Sequence, residues 1–179
     1  MLTIENTALV VVDVQGKLAG LMYRKEDLFE NLNRLIKGAQ ILQIPIILTE
    51  QYPKGLGPTA SELSELMPEV KPIEKITFSC CGNDAFSQAI KALGRRQLLL
   101  TGIETHICVY QTAIDLLSSG FEVQVVTDAV SSRKRSNKRI GLERMKMAGA
   151  IPTSTEMALF ELLRVAEGEK FREISKLVK

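Results

Sequence analysis

The chain has 179 residues, of which 45% are hydrophobic and 25% charged, a composition typical of one soluble globular domain. Its 23 basic and 21 acidic residues give a formal net charge of only +2, which argues against a nucleic-acid partner and favours small-molecule chemistry. No apolar run approaches the roughly 20 residues that span a membrane, and the first residues lack the basic segment of a signal peptide. We expect a single domain over residues 1–179, no membrane partner and a cytoplasmic location.

Short apolar runs alternate with stretches of helical periodicity along most of the chain. The first run, Ala8–Val12, is rich in Leu and Val, as is typical of a parallel strand buried on both faces. The predicted strands lie at about residues 8–12, 45–48, 71–75, 97–101, 123–126 and 150–152. The predicted helices lie at about 25–43, 59–66, 136–148 and 154–165, with one more carrying Phe86 to Leu93 and another following Cys108.

This βα alternation predicts the fold class. Right-handed crossovers between successive strands produce a mainly parallel sheet with helices on both faces, a three-layer αβα architecture of the α/β class. Residues 51–58, rich in Gly and Pro, read as a surface loop. Ser136, and either Ser154 or Thr155, are the predicted N-caps of the last two long helices.

The charged C-terminal stretch from Glu167 to Lys179 carries an apolar stripe. Phe171, Ile174 and Leu177 recur in it at helical spacing. Such a stripe docks either on the body of its own chain or on a second copy, and we expect a homo-oligomer.

Three residues that follow different strands predict a catalytic cleft. Ligands of an open parallel sheet bind beyond the carboxyl ends of its strands, where Asp13, Lys75 and Cys108 are all expected. Cys108 lies in the segment TGIETHICV at a strand-to-helix turn, where unpaired backbone N–H groups lower the pKa of a thiol. Singly, each has a structural alternative: a capping Asp, a surface Lys and an inert buried Cys. Their convergence on one edge favours a functional cluster.

The remaining reactive residue types give no metal site. One histidine and three cysteines cannot assemble a zinc site of the usual spacing, so we predict chemistry without a metal or other cofactor. The adjacent Cys80 and Cys81 are interpreted as small residues of a loop rather than as cleft lining. For His106 we favour a structural or interface role. The basic cluster at 133–139 is able to bind phosphate or nucleic acid, but is interpreted as a solvated loop and helix start.

Three segments carry a family resemblance: VVDVQ at Val11–Gln15, EKITFS around Lys75, and GIETHICV at Gly102–Val109. In order and spacing, over about residues 5–165, the chain resembles the isochorismatase-like cysteine hydrolases, the superfamily that includes nicotinamidases and N-carbamoylsarcosine amidases. The resemblance implies a six-stranded, Rossmann-like isochorismatase-type sheet and an Asp–Lys–Cys triad at Asp13, Lys75 and Cys108. It also implies a cis peptide bond from Ile103 to Glu104, with the backbone N–H groups of Glu104 and Cys108 forming an oxyanion hole.

The implied activity is hydrolysis of a small amide or related C–N bond through a thioester on Cys108, with Gln15 and Phe78 as candidates for the substrate wall. Two differences from known members of the superfamily narrow the expected activity. The segment TEQYP after the second strand has no histidine, which argues against a metal-dependent nicotinamidase. Retention of Cys108 argues against the ether hydrolysis of isochorismatase itself. The alternative from another class is a catalytically silent scaffold or binding protein of the same fold.

Overall fold

The computed structural model describes residues 1–179 and contains one sheet with helices packed on both of its faces. The strands are β1 (Thr7–Val12), β2 (Ile46–Gln51), β3 (Ile73–Lys75), β4 (Gln97–Ile103), β5 (Glu122–Ser131) and β6 (Ile151–Thr153). The helices are α1 (Gly16–Ala19), α2 (Lys25–Leu42), α3 (Pro53–Leu56), α4 (Ser61–Ser64), α5 (Asp84–Ala92), α6 (Tyr110–Ser118), α7 (Arg135–Met147), α8 (Thr155–Leu163) and α9 (Gly168–Leu177). None of them combines the length and the apolar composition needed to cross a membrane.

The sheet has the strand order β3-β2-β1-β4-β5-β6, and every neighbouring pair is parallel. This confirms the predicted six-stranded α/β architecture. The chain moves outward from β1 to β3 on one side and from β4 to β6 on the other, so the order reverses between β1 and β4. Such a reversal leaves a crevice at the carboxyl ends of the two central strands.

The sheet separates two hydrophobic cores because successive side chains of a strand point to opposite faces. Leu9 and Val11 of β1 belong to a cluster of 24 buried residues that includes side chains of α2, α8 and α9. Val10 and Val12 belong to a cluster of 18 buried residues that includes side chains of α5, α6 and α7. The near-continuous apolar character of β1 is thus explained by burial on both faces.

Some element boundaries differ from the sequence predictions. The predicted helix at 59–66 shrinks to α4, and the stretch predicted as a loop contains the one-turn helix α3. Strand β5 continues to Ser131, well past the predicted end at 126, because its last residues pair with the end of β4. Ser154 caps α8 by accepting a hydrogen bond from the N–H of Met157, as predicted, whereas α7 begins one residue before Ser136 and has no side-chain cap.

The C-terminal helix α9 docks on the body of its own chain. Ile174 is fully buried, and the Phe171 ring lies 6.3 Å from that of Phe160 in α8. The carbonyl of Leu177 accepts a hydrogen bond from Arg34 Nε at 2.9 Å. The apolar stripe is therefore satisfied within the chain and no longer argues for a second copy.

Candidate active site

Close approach of β1 and β4 builds the centre of the candidate site. Gly102 lies opposite Val12 in the parallel register and has φ of +106°. A Cβ at Gly102 would lie 2.1 Å from the carbonyl oxygen of Val12, a separation that no side chain tolerates. The glycine of the GIETHICV segment thus lets the two strand ends meet, and so brings the residues that follow them together.

A buried ion pair joins two of the predicted residues. Lys75 Nζ lies 2.5 Å from Asp13 Oδ2, and both side chains are almost inaccessible to solvent. Lys75 Nζ also contacts the carbonyl oxygens of Thr77 and Phe78 at 3.2 Å each. Asp13 itself has φ of +53°, a left-handed conformation that Asp tolerates better than most residues. A buried charge pair of this kind is held only where hydrogen bonds satisfy both partners.

Two polar residues of β2 complete this network, and the sequence analysis did not single them out. Thr49 Oγ1 donates to Asp13 Oδ1 at 2.7 Å, and Lys75 Nζ donates to Gln51 Oε1 at 2.8 Å. Both residues lie at the carboxyl end of the strand between β1 and β3. The signal that points to them is this position, since polar residues that end a buried parallel strand face the same crevice as Asp13.

Cys108 lies in a π-helical turn, Thr105–Val109, that leads from β4 into α6; we call it the cysteine turn. The side chain is buried, with 7% of its surface exposed. Burial raises the pKa of the Cys108 thiol to about 12, and the Asp13 carboxylate acts in the same direction through its charge and a hydrogen bond, while Lys75 opposes it. The structure therefore brings all three predicted residues to one edge of the sheet.

The state of the thiol differs from the sequence expectation. Position at a helix start was expected to lower the pKa of Cys108, but removal from water and the neighbouring carboxylate outweigh that effect. At neutral pH the site holds a thiol beside a carboxylate rather than a preformed thiolate. An arrangement of this type suits removal of the thiol proton during attack, with Asp13 as the acceptor.

The peptide bond between Ile103 and Glu104 is cis, as the resemblance implied. The Glu104 side chain is buried and accepts a hydrogen bond from the backbone N–H of Arg133 at 2.9 Å, with an ion pair of 3.2 Å to the guanidinium. These contacts fix the start of the cysteine turn to the loop between β5 and α7. Thr105 Oγ1, next in the chain, is buried without a hydrogen-bond partner.

Helix α7 approaches the cysteine turn closely. A Cβ at Gly141 would lie 2.8 Å from the carbonyl oxygen of Thr105, so glycine is needed for this contact. His106 bridges the same elements, since Nδ1 lies 3.0 Å from Ser132 Oγ and Nε2 lies 3.2 Å from Asn137 Nδ2. Both ring nitrogens are engaged away from Cys108, which agrees with the structural role favoured for His106.

Gln15 and Phe78 occupy different settings. Gln15 is fully buried, its Nε2 donates to the carbonyls of Gln51 and Gly57, and its Oε1 accepts from the N–H of Gln51. All of these hydrogen bonds connect the Gln15 amide to the backbone. Gln15 was expected to contact substrate, but in the structure it joins the end of β1 to β2 instead. Phe78, by contrast, is 55% exposed beside Lys75 and stays a candidate for the substrate wall.

The adjacent residues Cys80 and Cys81 also differ in their burial. Cys80 is fully buried behind the ion pair, with Sγ 3.7 Å from Thr49 Oγ1, and burial raises the pKa of its thiol to about 12. Its backbone N–H donates to Thr112 Oγ1 of α6 at 2.9 Å. Cys81 is half-buried, and burial raises the pKa of its thiol to about 11. Cys80 therefore supports the cluster from inside the core.

No group of three or more His, Cys, Asp or Glu side chains converges in a way that would hold a metal ion. Asp13 and Cys108 instead share their surroundings with a lysine and a threonine. The donor set of this cluster suits proton transfer and nucleophilic attack.

Comparison with known sequences gives a consistent result. A family model described as the isochorismatase domain matches residues 7–157 of the chain. The secreted isochorismatase effector Isc1 of Phytophthora sojae is 39% identical over 178 residues, which cover 97% of this chain and 85% of the relative.

Solved structures are similar along nearly the whole chain. MAR1 ribonuclease from Caenorhabditis elegans has a TM-score of 0.92 at 40% identity, covering 99% of this chain and 91% of that one. YcaC from Pseudomonas aeruginosa, solved with hexane-2,5-diol and covalent acrylamide, has a TM-score of 0.92 at 30% identity, covering 98% and 90%. The YcaC gene product of Escherichia coli, described as an octameric hydrolase of unknown specificity, has a TM-score of 0.93 at 28% identity, covering 98% and 88%.

Proposed function

Because the chain belongs to the isochorismatase family, we propose that it is a cysteine hydrolase that cleaves a small amide or related C–N bond through a thioester on Cys108. Family membership supports hydrolysis in general. The observation that carries the finer proposal is the buried Lys75–Asp13 ion pair beside the Cys108 thiol. An acid–base group, a fixed cation and a nucleophile are the parts that such a reaction needs.

In the proposed reaction Asp13 takes the thiol proton while Cys108 Sγ attacks the substrate carbonyl carbon. The resulting oxyanion is stabilised by the backbone N–H groups of Glu104 and Cys108. The C–N bond then breaks, and the proton on Asp13 passes to the departing nitrogen. Water, deprotonated by Asp13, attacks the thioester, releases the acid product and leaves the thiol protonated as before. Lys75 holds the carboxylate in place through its contact with Asp13 Oδ2.

The raised pKa of Cys108 fits this order of events. A thiol that is neutral in the resting enzyme needs an acceptor within reach when it attacks, and Asp13 is the carboxylate that shifts its pKa. Support also comes from the relative solved with covalent acrylamide. Acrylamide is an electrophile, so its covalent attachment points to a reactive nucleophile in that protein.

The proposal includes the setting of the reaction. We assign the whole chain to one hydrolase domain, with a small molecule as substrate and a cytoplasmic location, since three free cysteines suit a reducing compartment. We also propose a homo-oligomer, on the basis of the octameric relative.

Two large apolar side chains lie exposed beside Lys75: Ile76 is 80% and Phe78 is 55% exposed. A substrate or a second copy of the chain would cover them.

The test is a panel of small amides, including acetamide, propionamide and nicotinamide, assayed for ammonia release. Intact-mass spectrometry after an acid quench should detect an acyl adduct on the parent protein. The Cys108→Ser variant should lose the thioester, and Asp13→Asn should lose turnover. Turnover that persists at the parental rate in both variants would exclude the proposed chemistry.

A second candidate function, ribonuclease activity, is favoured by the MAR1 relative and by the exposed basic residues between β5 and α7. The Asp13–Lys75–Cys108 cluster has no evident part in phosphodiester cleavage. Highly purified protein should therefore be incubated with a labelled RNA. Cleavage that co-elutes with the protein and survives Cys108→Ala would favour the ribonuclease function over the amidase.

A further inference from the structure

A cavity lies over the carboxyl end of β5. It has a volume of about 390 Å³ and is bounded by the starts of α2 and α7 and by the end of β5. None of its lining residues belongs to the Asp13–Lys75–Cys108 cluster. A volume of this size is in the range of pockets that hold small molecules.

The charges in this cavity are mainly positive. One face of α7 supplies Arg135, Lys138 and Arg139, at relative positions 0, 3 and 4 of the helix, and the segment before α2 supplies Arg24. Residues at this spacing share a helix face, so the three α7 side chains project into the same space. Two carboxylates, Asp27 and Asp128, are the only acidic side chains of the lining.

Both carboxylates are already engaged. Asp27 forms an ion pair with Arg24. Asp128 accepts hydrogen bonds from Thr155 at the start of α8, 2.9 Å from the backbone N–H and 3.0 Å from the hydroxyl. Neither acid forms an ion pair with a cation of α7.

The cations of α7 therefore lack good acidic partners. Arg139 has only a 3.9 Å contact with Glu143, and Arg135 and Lys138 have no ion pair at all. Lys138 is half-buried, and burial together with the charge of Arg24 lowers the pKa of its ammonium, while the two carboxylates oppose that shift. Since Lys138 is half-buried and has no direct ion pair, an anion that enters the cavity would stabilise its charge.

From this arrangement we propose that the cavity binds a small phosphate-bearing molecule, with Arg135 and Lys138 holding the phosphate. The lining carries four cations and two carboxylates, so its net charge is opposite in sign and similar in magnitude to that of a phosphate dianion. Arginine and lysine are the side chains that proteins use for this group. Asn31, Thr127 and Ser131 also line the cavity. Their N–H and O–H donors already bind backbone carbonyls, so only their oxygen atoms remain, as acceptors for the rest of such a molecule.

The test is calorimetric titration of the full chain with inorganic phosphate and, separately, with ribose 5-phosphate, at fixed ionic strength maintained with chloride. Lys138→Met and Arg135→Gln should each weaken binding about tenfold or more, equivalent to about 1.4 kcal/mol. Lys146→Met removes the same charge from the last turn of α7, outside the cavity, and should leave the Kd within about twofold. Cys108→Ala should bind normally, which separates this site from the catalytic one.

Comparison of the two Kd values shows whether the natural occupant is an organic phosphate or free phosphate. Tighter binding of ribose 5-phosphate identifies an organic phosphate as the occupant, and tighter binding of inorganic phosphate identifies the free ion. Absence of saturable binding of either ligand would overturn the proposal. Equal weakening by Lys146→Met and Lys138→Met would also overturn it, because binding would then follow net charge alone. Circular dichroism of each variant checks that the fold is kept.

Discussion

Thr49 donates a hydrogen bond of 2.7 Å to Oδ1 of Asp13, the carboxylate oxygen that Lys75 does not hold. The two contacts together restrain the rotation of the Asp13 carboxylate. In the proposed reaction Asp13 accepts a proton from Cys108 and later passes it to the leaving group, and a base with this role depends on fixed geometry. We therefore regard Thr49 as a positioning residue of the site, acting through Asp13.

Thr49→Val tests this relationship. The substitution keeps the side-chain shape but removes the donor, so kcat should fall about 10- to 100-fold while KM changes little. Loss of the donor to a buried carboxylate should also lower the free energy of unfolding by about 1 to 3 kcal/mol. Thr49→Ser restores the hydroxyl and should recover most of kcat. A valine variant with the parental kcat would show that Thr49 acts only through packing.

Cys108→Ala and Cys108→Ser should each abolish amide hydrolysis and leave the fold intact. The side chain is small, and its replacement removes the nucleophile with little loss of packing in the buried cluster. Hydrolysis of a panel amide and thermal unfolding should be measured on the same samples. Activity of the alanine variant within about tenfold of the parent, about 1.4 kcal/mol in barrier height, would reject covalent catalysis by Cys108.

Asp13→Asn should change two measurements in opposite directions. Hydrolysis should fall because the proton acceptor is lost. Alkylation of Cys108 by iodoacetamide near neutral pH should become faster, because the negative charge that raises the pKa of this thiol is removed while Lys75 remains.

The readout is site-resolved peptide mass spectrometry, with the enclosed Cys80 as internal control, since it should stay unlabelled in both proteins. In the parent, the Cys108 alkylation rate should keep rising as the pH passes 9, because burial and the Asp13 carboxylate raise the pKa of this thiol to about 12. Equal labelling and equal hydrolysis in parent and variant would favour the scaffold alternative.

Treatment with EDTA should leave hydrolysis unchanged. The chain offers no group of three or more side chains of the metal-binding types, and the proposed steps use only protein groups. Activity before and after dialysis against chelator, together with elemental analysis of the purified protein, checks this. One zinc or iron per chain would contradict it.

Light scattering at micromolar concentration should report a multiple of the 19.8 kDa chain mass. The expectation rests on the octameric relative and on the exposed apolar side chains of Ile76 and Phe78 beside the site. It no longer rests on the C-terminal stripe, which α9 packs against its own chain. A fully active monomer would overturn both the assembly and the idea that a second copy shapes the substrate pocket.

The sequence by itself determined the fold class and predicted which residues lie together at one edge of the sheet. Parallel strands that are buried on both faces are almost wholly apolar, so the apolar runs at β1 and β4 could be recognised as strands from the sequence. Polar residues directly after such strands lie at one edge of the sheet, because the carboxyl ends of parallel strands meet there. The GIETHICV segment was recognised by its strand-to-helix position and its family resemblance, whereas the need for glycine at position 102 follows from the approach of β1 and β4 in the structure. Asp13, Lys75 and Cys108 were predicted as site residues from their positions after strands, and the family resemblance implied the same triad.

Only the tertiary structure decided the state and support of those residues. Helix position alone suggested a thiolate at Cys108, but the desolvation and the charge that outweigh it come from strands and loops distant in the sequence. Gln15 looked available for substrate until the backbone of Gln51 and Gly57 was seen to occupy its amide. Thr49 was not predicted, because threonine is common in strands and only the structure shows that its hydroxyl donates to the Asp13 carboxylate. Local patterns specify where a side chain lies along the chain, whereas burial and hydrogen bonding depend on contacts between distant segments.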